Sequence, residues 1–276
     1  MNKFVKGALA LTFVLGLTGC VSSSDEETSG ISGKVTMNGS TSMQELVEAM
    51  QETIVEVYPD LEIAAEFTGS SSGVKAVIEG TAQIGNASRA LKDEEKEKLT
   101  ENIICQDGIA VIVSNDLNIK GITLDQLAAI YKGEITNWSE VGGDDLAIVV
   151  VGRDAASGTR GAFEEIVGVE DQCNYAQEIE STGAVVGKVE ATPGTIGYVS
   201  LNVVEKNEKI KALDIDGASA SAKNIVDGSY PIARPFVMAT KGNIEEQSEE
   251  VQAIFDYLQS DEGQEVIENL GLISVK

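Results

Sequence analysis

The chain has 276 residues, enough for one large domain or two lobes with a buried core, and its apolar content of 42% is ordinary for a folded soluble protein. Lys and Arg total 20 and Asp and Glu total 45, a net charge of −25 that argues against a nucleic-acid partner and against a polybasic grip on anionic lipid. The chain contains no histidine, which excludes Ser-His-Asp and Cys-His catalytic sites and every His-ligated metal site.

The N-terminal segment predicts export and lipid attachment. Lys3 and Lys6 precede an apolar run over residues 7–17 that is too short to span a bilayer, and this run ends in LTGC at 17–20. The ending resembles the lipobox of bacterial lipoproteins, which implies a signal peptide over 1–19 and a diacylated Cys20 at the outer face of the cytoplasmic membrane. Residues 20–32 are polar, Ser-rich and acidic, and predict a flexible tether. The alternative is an ordinary secretory signal with an incidental cysteine.

Beyond the tether, hydrophobic patterning predicts alternating strands and helices. Strands are predicted over 34–37, 61–67, 82–87, 109–113, 146–151 and 233–240. Helices are predicted from Ser42 to before Pro59, from the turn at 69–73 to Glu79, and over 92–99, 123–133 and 157–167. Two amphipathic helices are predicted over 245–270. The alternation indicates an α/β fold with mainly parallel sheets, in which ligands bind beyond the carboxyl ends of the strands.

Four turns at predicted helix starts share one chemistry, namely small hydroxyl residues beside glycine or arginine. They are GSTS at 39–42, GSSS at 69–72, ASR at 87–89 and RDAASGT at 153–159. Helix N-termini carry free N–H groups and a partial positive charge, and hydroxyls add neutral donors. Capping explains any single turn, because Ser and Thr are common N-caps. Together the four turns predict a cage for a small oxyanion.

The strongly negative charge limits how such a cage binds an anion. The chain repels anions at long range, so binding must depend on short-range donors in a dry site, with arginine supplying bidentate contacts. No segment matches the nucleotide P-loop GxxxxGK[ST], so the cage is not predicted to hold a nucleotide.

Eight segments carry a specific resemblance and span nearly all of the mature domain. They are GSTSM (39–43), GSSSGVKA (69–76), IGNASRAL (84–91), DGIAVIV (107–113), ITNWSEVGG (135–143), GRDAASGTRGAFEE (152–165), ATPGTIGYVSL (191–201) and PIARPFVMATKG (231–242). The chain resembles the phosphate-binding subunit of bacterial phosphate ABC transporters, in the form common among Gram-positive bacteria. The resemblance implies a two-lobed periplasmic-binding-protein fold of type II. Its lobes would cover 33–113 with 231–276, and 114–230, with hinge strands near 113–115 and 229–234.

The resemblance also implies a function. The protein would capture inorganic phosphate between its lobes and deliver it to an ABC permease, without catalysis, cofactor or metal, and we expect it to be a monomer. The phosphate-binding residues carried over from the family or adjoining its motifs are Ser40, Thr41, Ser42, Ser70, Ser88, Arg89, Arg153, Ser157, Gly158 and Thr159.

Two positions depart from the family pattern. Arg89 stands where some members carry an Asp that accepts a proton from phosphate and rejects sulfate. The acidic residue expected two positions after Arg153 is an alanine, although Asp154, one position early, is a candidate for orienting Arg153 or Arg89. The alternative for Arg89 is an ion pair with Glu94 or Glu95.

Other interpretations stay open at the level of sequence. Because Arg89 cannot accept a proton, the chain could serve as a receptor for sulfate, molybdate or another tetrahedral oxyanion. A more remote alternative is a Ser/Thr phosphatase-like hydrolase, which without histidine would need Asp154 or a Glu as general base. Arg160 is interpreted as a surface or inter-lobe residue. Cys105 and Cys173 are either bridged or free, because an extracytoplasmic location permits a disulfide.

Overall fold

The computed structural model describes residues 30–204 and 206–276. The strands are β1 (Ser32–Gly39), β2 (Asp60–Glu66), β3 (Ile84–Ala87), β4 (Thr100–Ser114), β5 (Gly121–Ile122), β6 (Val149–Arg153), β7 (Gln177–Ile179), β8 (Thr195–Ser200), β9 (Ile210–Ala212), β10 (Asp214–Ile215), β11 (Ala233–Thr240) and β12 (Ile273–Ser274). The helices are α1 (Gln44–Thr53), α2 (Ser70–Glu79), α3 (Asp93–Lys96), α4 (Leu124–Lys132), α5 (Gly158–Val167), α6 (Thr182–Ala191), α7 (Ala222–Val226), α8 (Glu249–Gln259) and α9 (Asp261–Asn269).

The predicted α/β alternation is confirmed, with local differences around β4 and in the second part of the chain. β4 begins at Thr100, well before the apolar run 109–113 that predicted it, because its first residues pair with β11. The helix predicted over 92–99 is shorter than expected, because only the residues of α3 are helical there. The elements β7, α6 and β8 were not predicted.

Eight strands follow one another in a mixed sheet in the order β2-β1-β3-β11-β4-β8-β6-β7, and β9 and β12 also pair with β4. β1 is parallel to β2 and β3, and β6 is parallel to β7 and β8. β11 is antiparallel to β3 and β4, and β4 is antiparallel to β8. The expected parallel pairing therefore holds at each end of the sheet, whereas the central strands run antiparallel.

Strand β4 passes from one hydrophobic core into another. Cys105 shares a core with residues of α1 and α8, whereas Ile109 shares a separate core with residues of α4 and α5. The pairing partner of β4 changes at the same place, from β11 up to Gly108 to β8 from Ile109 onward. This change lies before the predicted boundary at residue 113. We call residues 30–108 and 233–276 the first half and residues 109–232 the second half.

The start of the folded region lies close to its predicted position. Ile31 packs against the core of the first half and β1 begins at Ser32, slightly before the predicted boundary at residue 33. The predicted signal peptide, the lipidation at Cys20 and most of the tether lie outside the described residues. Across 30–204 and 206–276, no helix is both long and apolar enough to cross a membrane. Cys105 and Cys173 are free thiols.

Candidate functional site

The predicted site residues gather where the carboxyl ends of β1, β3 and β6 lie beside the N-termini of α1, α2 and α5. Residues 40–42 connect β1 to α1, Ser70 opens α2, Ser88 follows β3 and Arg153 ends β6. Most of these side chains are buried. The buried members are Ser40, Ser42, Ser70, Ser88, Arg89, Arg153, Ser157, Gly158 and Thr159.

Three serines of the first half form a connected group. The Ser40 hydroxyl donates to the Ser88 Oγ at 2.8 Å, and the hydroxyls of Ser70 and Ser88 lie 3.3 Å apart. The backbone N–H of Ser88 donates to the Ser70 Oγ at 3.1 Å. Each oxygen both donates and accepts, so the group offers several orientable donors within one small volume.

The second half meets this group directly. The hydroxyls of Ser42 and Thr159 lie 2.9 Å apart, and those of Ser88 and Thr159 lie 3.5 Å apart. The backbone N–H of Ser71 donates to the Ala156 carbonyl at 3.0 Å. The predicted site residues of the two halves are thus brought together.

Gly158 makes this close approach possible. A Cβ placed on Gly158 would overlap the Ser70 hydroxyl and would lie 3.0 Å from the Ser88 Oγ. Because Gly158 also begins α5, its backbone N–H is one of the free donors of a helix N-terminus. The position therefore combines a free backbone donor with the absence of a side chain.

Arg153 supplies the positive charge of the site. It is 1% exposed, and its Nη2 donates to the Thr41 Oγ1 at 2.9 Å and to the Glu180 carbonyl at 2.7 Å. Its Nε donates to the Ile179 carbonyl at 3.1 Å, which fixes the plane of the guanidinium. Burial lowers the pKa of Arg153 to about 10, so the group stays protonated at neutral pH. Among the described residues, no carboxylate lies within 4.0 Å of its nitrogens.

Thr182, at the start of α6, belongs to the same cluster and was missed from the sequence. Its Oγ1 lies 3.1 Å from both the Thr41 Oγ1 and the Ser42 Oγ, and it accepts from the Arg153 Nη1 at 3.2 Å. The segment Ser181–Gly183 repeats the hydroxyl-and-glycine composition of the other turns. That composition could have identified Thr182, had a helix been predicted after it.

Two serines at helix starts differ in whether they act as helix caps. Ser42 does not cap α1, whose N-cap is Met43 without a side-chain bond. The Ser42 hydroxyl is consequently free for the cluster. Ser157 does cap α5, since its Oγ accepts from the Arg160 N–H at 3.2 Å.

Arg89 departs from the expected site. Its Nη1 and Nη2 donate to the two carboxylate oxygens of Glu95 at 2.7 and 2.9 Å, which is the ion-pair alternative considered from the sequence. The Arg89 Nη2 reaches only the edge of the cluster, at 3.5 Å from the Ser71 Oγ. Burial alone would raise the pKa of Glu95, but the bonds from Arg89 and from the Lys92 N–H lower it below its ordinary value. Arg89 is therefore neutralised and does not face the clustered hydroxyls.

Arg160 and Asp154 flank Arg153 without joining the cluster. Arg160 is paired with Glu164 at 2.8 Å and with Glu178 at 2.9 Å, and it donates to the Arg153 carbonyl at 3.0 Å. It thus acts between elements of the second half, consistent with its interpretation as a non-ligand residue. The Asp154 Oδ1 is buried without a hydrogen-bond partner in the described structure, and the carboxylate pairs with neither Arg153 nor Arg89.

The composition of the cluster suits an anion. It contains hydroxyls, backbone N–H groups at helix N-termini and one guanidinium, and no carboxylate of the described residues hydrogen-bonds to its hydroxyls. In the part of the chain that the structure describes, no group of three or more His, Cys, Asp or Glu side chains is placed to hold a metal ion. Such a set of donors can surround a small oxyanion in a dehydrated site.

Comparison with known proteins connects this arrangement to a family. Residues 24–262 match the family described as PBP superfamily domain. The chain is 34% identical to the phosphate-binding protein PstS of Bacillus subtilis over 99% of this chain and 94% of that protein. It is 28% identical to the phosphate-binding protein PstS of Borreliella burgdorferi over 88% of this chain and 90% of that protein.

Solved structures agree with the sequence relatives. A structure of a Clostridium perfringens protein described as a phosphate ABC transporter substrate-binding protein, with bound phosphate, superposes with a TM-score of 0.84 at 39% identity, covering 88% of this chain and all of that one. An ABC-type phosphate transport receptor from Vibrio cholerae superposes with a TM-score of 0.72 at 29% identity, covering 87% of this chain and 99% of that one.

Proposed function

The chain belongs to the PstS family of phosphate-binding proteins within the PBP superfamily, and from this premise we propose that it is the substrate-binding protein of a phosphate ABC transporter. It captures inorganic phosphate between its two halves and delivers it to an ABC permease, and it carries out no chemical reaction. The proposal rests above all on Arg153, a buried guanidinium that contacts hydroxyls but no carboxylate of the described residues. An unpaired buried cation is costly, and a bound anion would offset that cost.

The proposed binding residues come from both halves. The first half contributes Ser40, Thr41, Ser42, Ser70 and Ser88, and the second contributes Arg153, Ser157, Gly158 and Thr159, with Thr182 added by the structure. Arg89 is left out, because its guanidinium is committed to Glu95. Hydroxyls and backbone N–H groups would donate to the phosphate oxygens, and Arg153 would supply a charge-assisted contact.

We propose that the halves act as the two lobes of the binding protein. Phosphate would favour the closed arrangement because only that arrangement lets donors of both lobes reach it. The hinge is placed where the chain crosses between the halves, near residues 108–109 and 232–233. The protein is proposed to act as a monomer outside the cytoplasmic membrane, attached by lipid at Cys20.

One observation favours a second candidate ligand. Arg89 stands where some family members carry a proton-accepting Asp, and hydroxyls and N–H groups can donate equally well to sulfate. A receptor for a tetrahedral oxyanion other than phosphate would use the same cluster. The two candidates differ in whether binding responds to the protonation of the anion, since phosphate gains a proton near neutral pH and sulfate does not.

Calorimetric titration of the purified, anion-stripped protein with phosphate and with sulfate at several pH values tests the proposal. One-to-one phosphate binding with little sulfate response supports it, whereas sulfate binding that equals or exceeds phosphate binding favours the second candidate. Failure to bind phosphate would refute the proposed function. Turnover of a phosphomonoester would instead support a hydrolase. Residues 69–73 fit the nucleophile motif GxSxG, but among the described residues the Ser71 hydroxyl has a hydrogen-bond contact with Arg89 alone.

A further inference from the structure

A buried ion pair lies directly behind Ser88. Asp107 on β4 and Arg234 on β11 face each other in the antiparallel register, and they are 1% and 2% exposed. The Arg234 Nε and Nη2 donate to the Asp107 Oδ2 at 3.1 and 2.9 Å. The remaining guanidinium nitrogen, Nη1, donates to the Ser88 carbonyl at 3.0 Å. Arg234 therefore holds the backbone of a proposed binding residue in place.

The same pair reaches the second half. The other oxygen of Asp107, Oδ1, accepts from the Ser200 hydroxyl at 2.7 Å. Ser200 is the last residue of β8, the strand that pairs with β4 from Ile109 onward. The pair thus connects the Ser88 turn of the first half to the end of a second-half strand, at one of the crossings between them.

Charge is the second property of this pair. Burial raises the pKa of Asp107, while Arg234, Ser200 and the backbone of Leu201 lower it. These three residues all present donor groups to the carboxylate, as an ionised carboxylate requires. Arg234 is close enough to Arg153 that its charge, together with burial, lowers the pKa of Arg153. Two guanidinium groups therefore act on the cluster, and Asp107 compensates one of them.

We infer that Asp107 and Arg234 position the Ser88 turn and set the charge behind the bound anion, so that Arg153 alone remains uncompensated. This inference rests on the proposed function and gives a role in anion affinity to two residues that do not touch the ligand. Arg234 attracts the anion, and Asp107 opposes that attraction. The two residues should consequently affect affinity with opposite signs, which a purely structural ion pair would not do.

Asp107→Asn and Arg234→Gln separate the two charges. Titration with phosphate, at a pH where it is a dianion, and with sulfate is expected to give at least about tenfold tighter binding for Asp107→Asn and at least about tenfold weaker binding for Arg234→Gln. The double variant Asp107→Asn/Arg234→Gln restores a neutral pair and should bind more tightly than Arg234→Gln and more weakly than Asp107→Asn. Glu101→Gln is the matched control, because it removes a carboxylate from the same strand. Glu101 lies away from the cluster and pairs with the Lys96 Nζ at a distance of 3.2 Å, so its replacement should change affinity less than about twofold.

Weaker binding by both single variants, or unchanged binding by both, would overturn the inference. Thermal unfolding without anion shows whether each variant is folded. If one single variant does not fold, the double variant measured against the other still decides, because the charge role requires the second substitution to reverse the effect of the first. A parent that binds phosphate while the variants lack opposite signs refutes the inference alone. A parent that binds neither phosphate nor sulfate refutes the proposed function as well.

Discussion

Removal of the Arg153 side chain is the sharpest test of the proposed site. In Arg153→Ala the cluster loses two contacts, the donation from Nη2 to Thr41 and from Nη1 to Thr182, together with its positive charge. The hydroxyls would remain, so the variant separates the contribution of the guanidinium from that of the neutral donors.

The expected magnitude follows from the number of contacts. A hydrogen bond that involves a charged group contributes about 1.5–3 kcal/mol, and Arg153 offers Nη1 and Nη2 to the cluster. Loss of both gives about 3–6 kcal/mol, which corresponds to a Kd for phosphate raised by about two to four orders of magnitude. Burial at 1% exposure keeps solvent from replacing the lost contacts.

Isothermal titration calorimetry measures the effect, with thermal unfolding in the absence of phosphate as a parallel readout. The second readout is needed because the carbonyl groups of Ile179 and Glu180 each also lose a hydrogen bond from Arg153. Arg89→Ala is the matched control, since Glu95 already neutralises that guanidinium, and its Kd should stay within about threefold of the parent. A folded Arg153→Ala protein with parental affinity would show that the site has been placed incorrectly.

Three further changes have distinct expected outcomes. Gly158→Ala should weaken phosphate binding by about tenfold to a hundredfold, because the added methyl would overlap the Ser70 hydroxyl, while the stability of the ligand-free protein stays near that of the parent. Parental affinity by calorimetry would contradict the close approach of the halves. Glu45→Gln removes an ion pair between the halves, in which the Lys206 Nζ lies 2.8 Å from the Glu45 carboxylate, and should raise the phosphate dissociation rate in stopped-flow measurements by no more than about fivefold. The difference should shrink at high salt, and a large, salt-independent change would contradict this expectation. Glu95→Gln should lower the free energy of unfolding by about 1 kcal/mol near neutral pH, and this difference should vanish as the pH falls below 4.5, the ordinary pKa of a Glu side chain, because the contacts that lower the pKa of Glu95 stabilise only its ionised form. A difference that persists in acid would indicate that packing is the cause.

The parts of the site that sequence could predict are those marked by local turn chemistry. Ser40, Ser70 and Ser88 each follow a strand or open a helix, and small hydroxyl residues there are visible without any knowledge of packing. Thr182 has the same local composition, but α6 contains Gly183 and Gly187 and shows little contrast between polar and apolar faces, so no helix was predicted to begin there.

The direction of an arginine side chain could not be predicted in this way. Arg89 and Arg153 both lie at or just after the end of a strand, near hydroxyl residues, and both side chains are long enough to reach a ligand or a neighbouring carboxylate. The direction of the Arg89 side chain depends on α3, because Glu95 of this helix accepts hydrogen bonds from both terminal nitrogens of Arg89. The contact between Asp107 and Arg234 was still less accessible, because these residues are far apart in sequence and meet only through the pairing of β4 with β11.

The arginines also resolve how a chain of net charge −25 can hold an anion. The chain has four, and in the described structure Arg89, Arg160 and Arg234 each pair with a carboxylate, while Arg153 does not. At physiological ionic strength the field of exposed carboxylates is screened within about 8 Å, whereas contacts inside a buried cluster are screened much less. Surface charge therefore acts mainly on the rate at which an anion approaches. We expect affinity and selectivity to depend on the few buried groups around Arg153, where one uncompensated charge and a set of neutral donors would meet the anion.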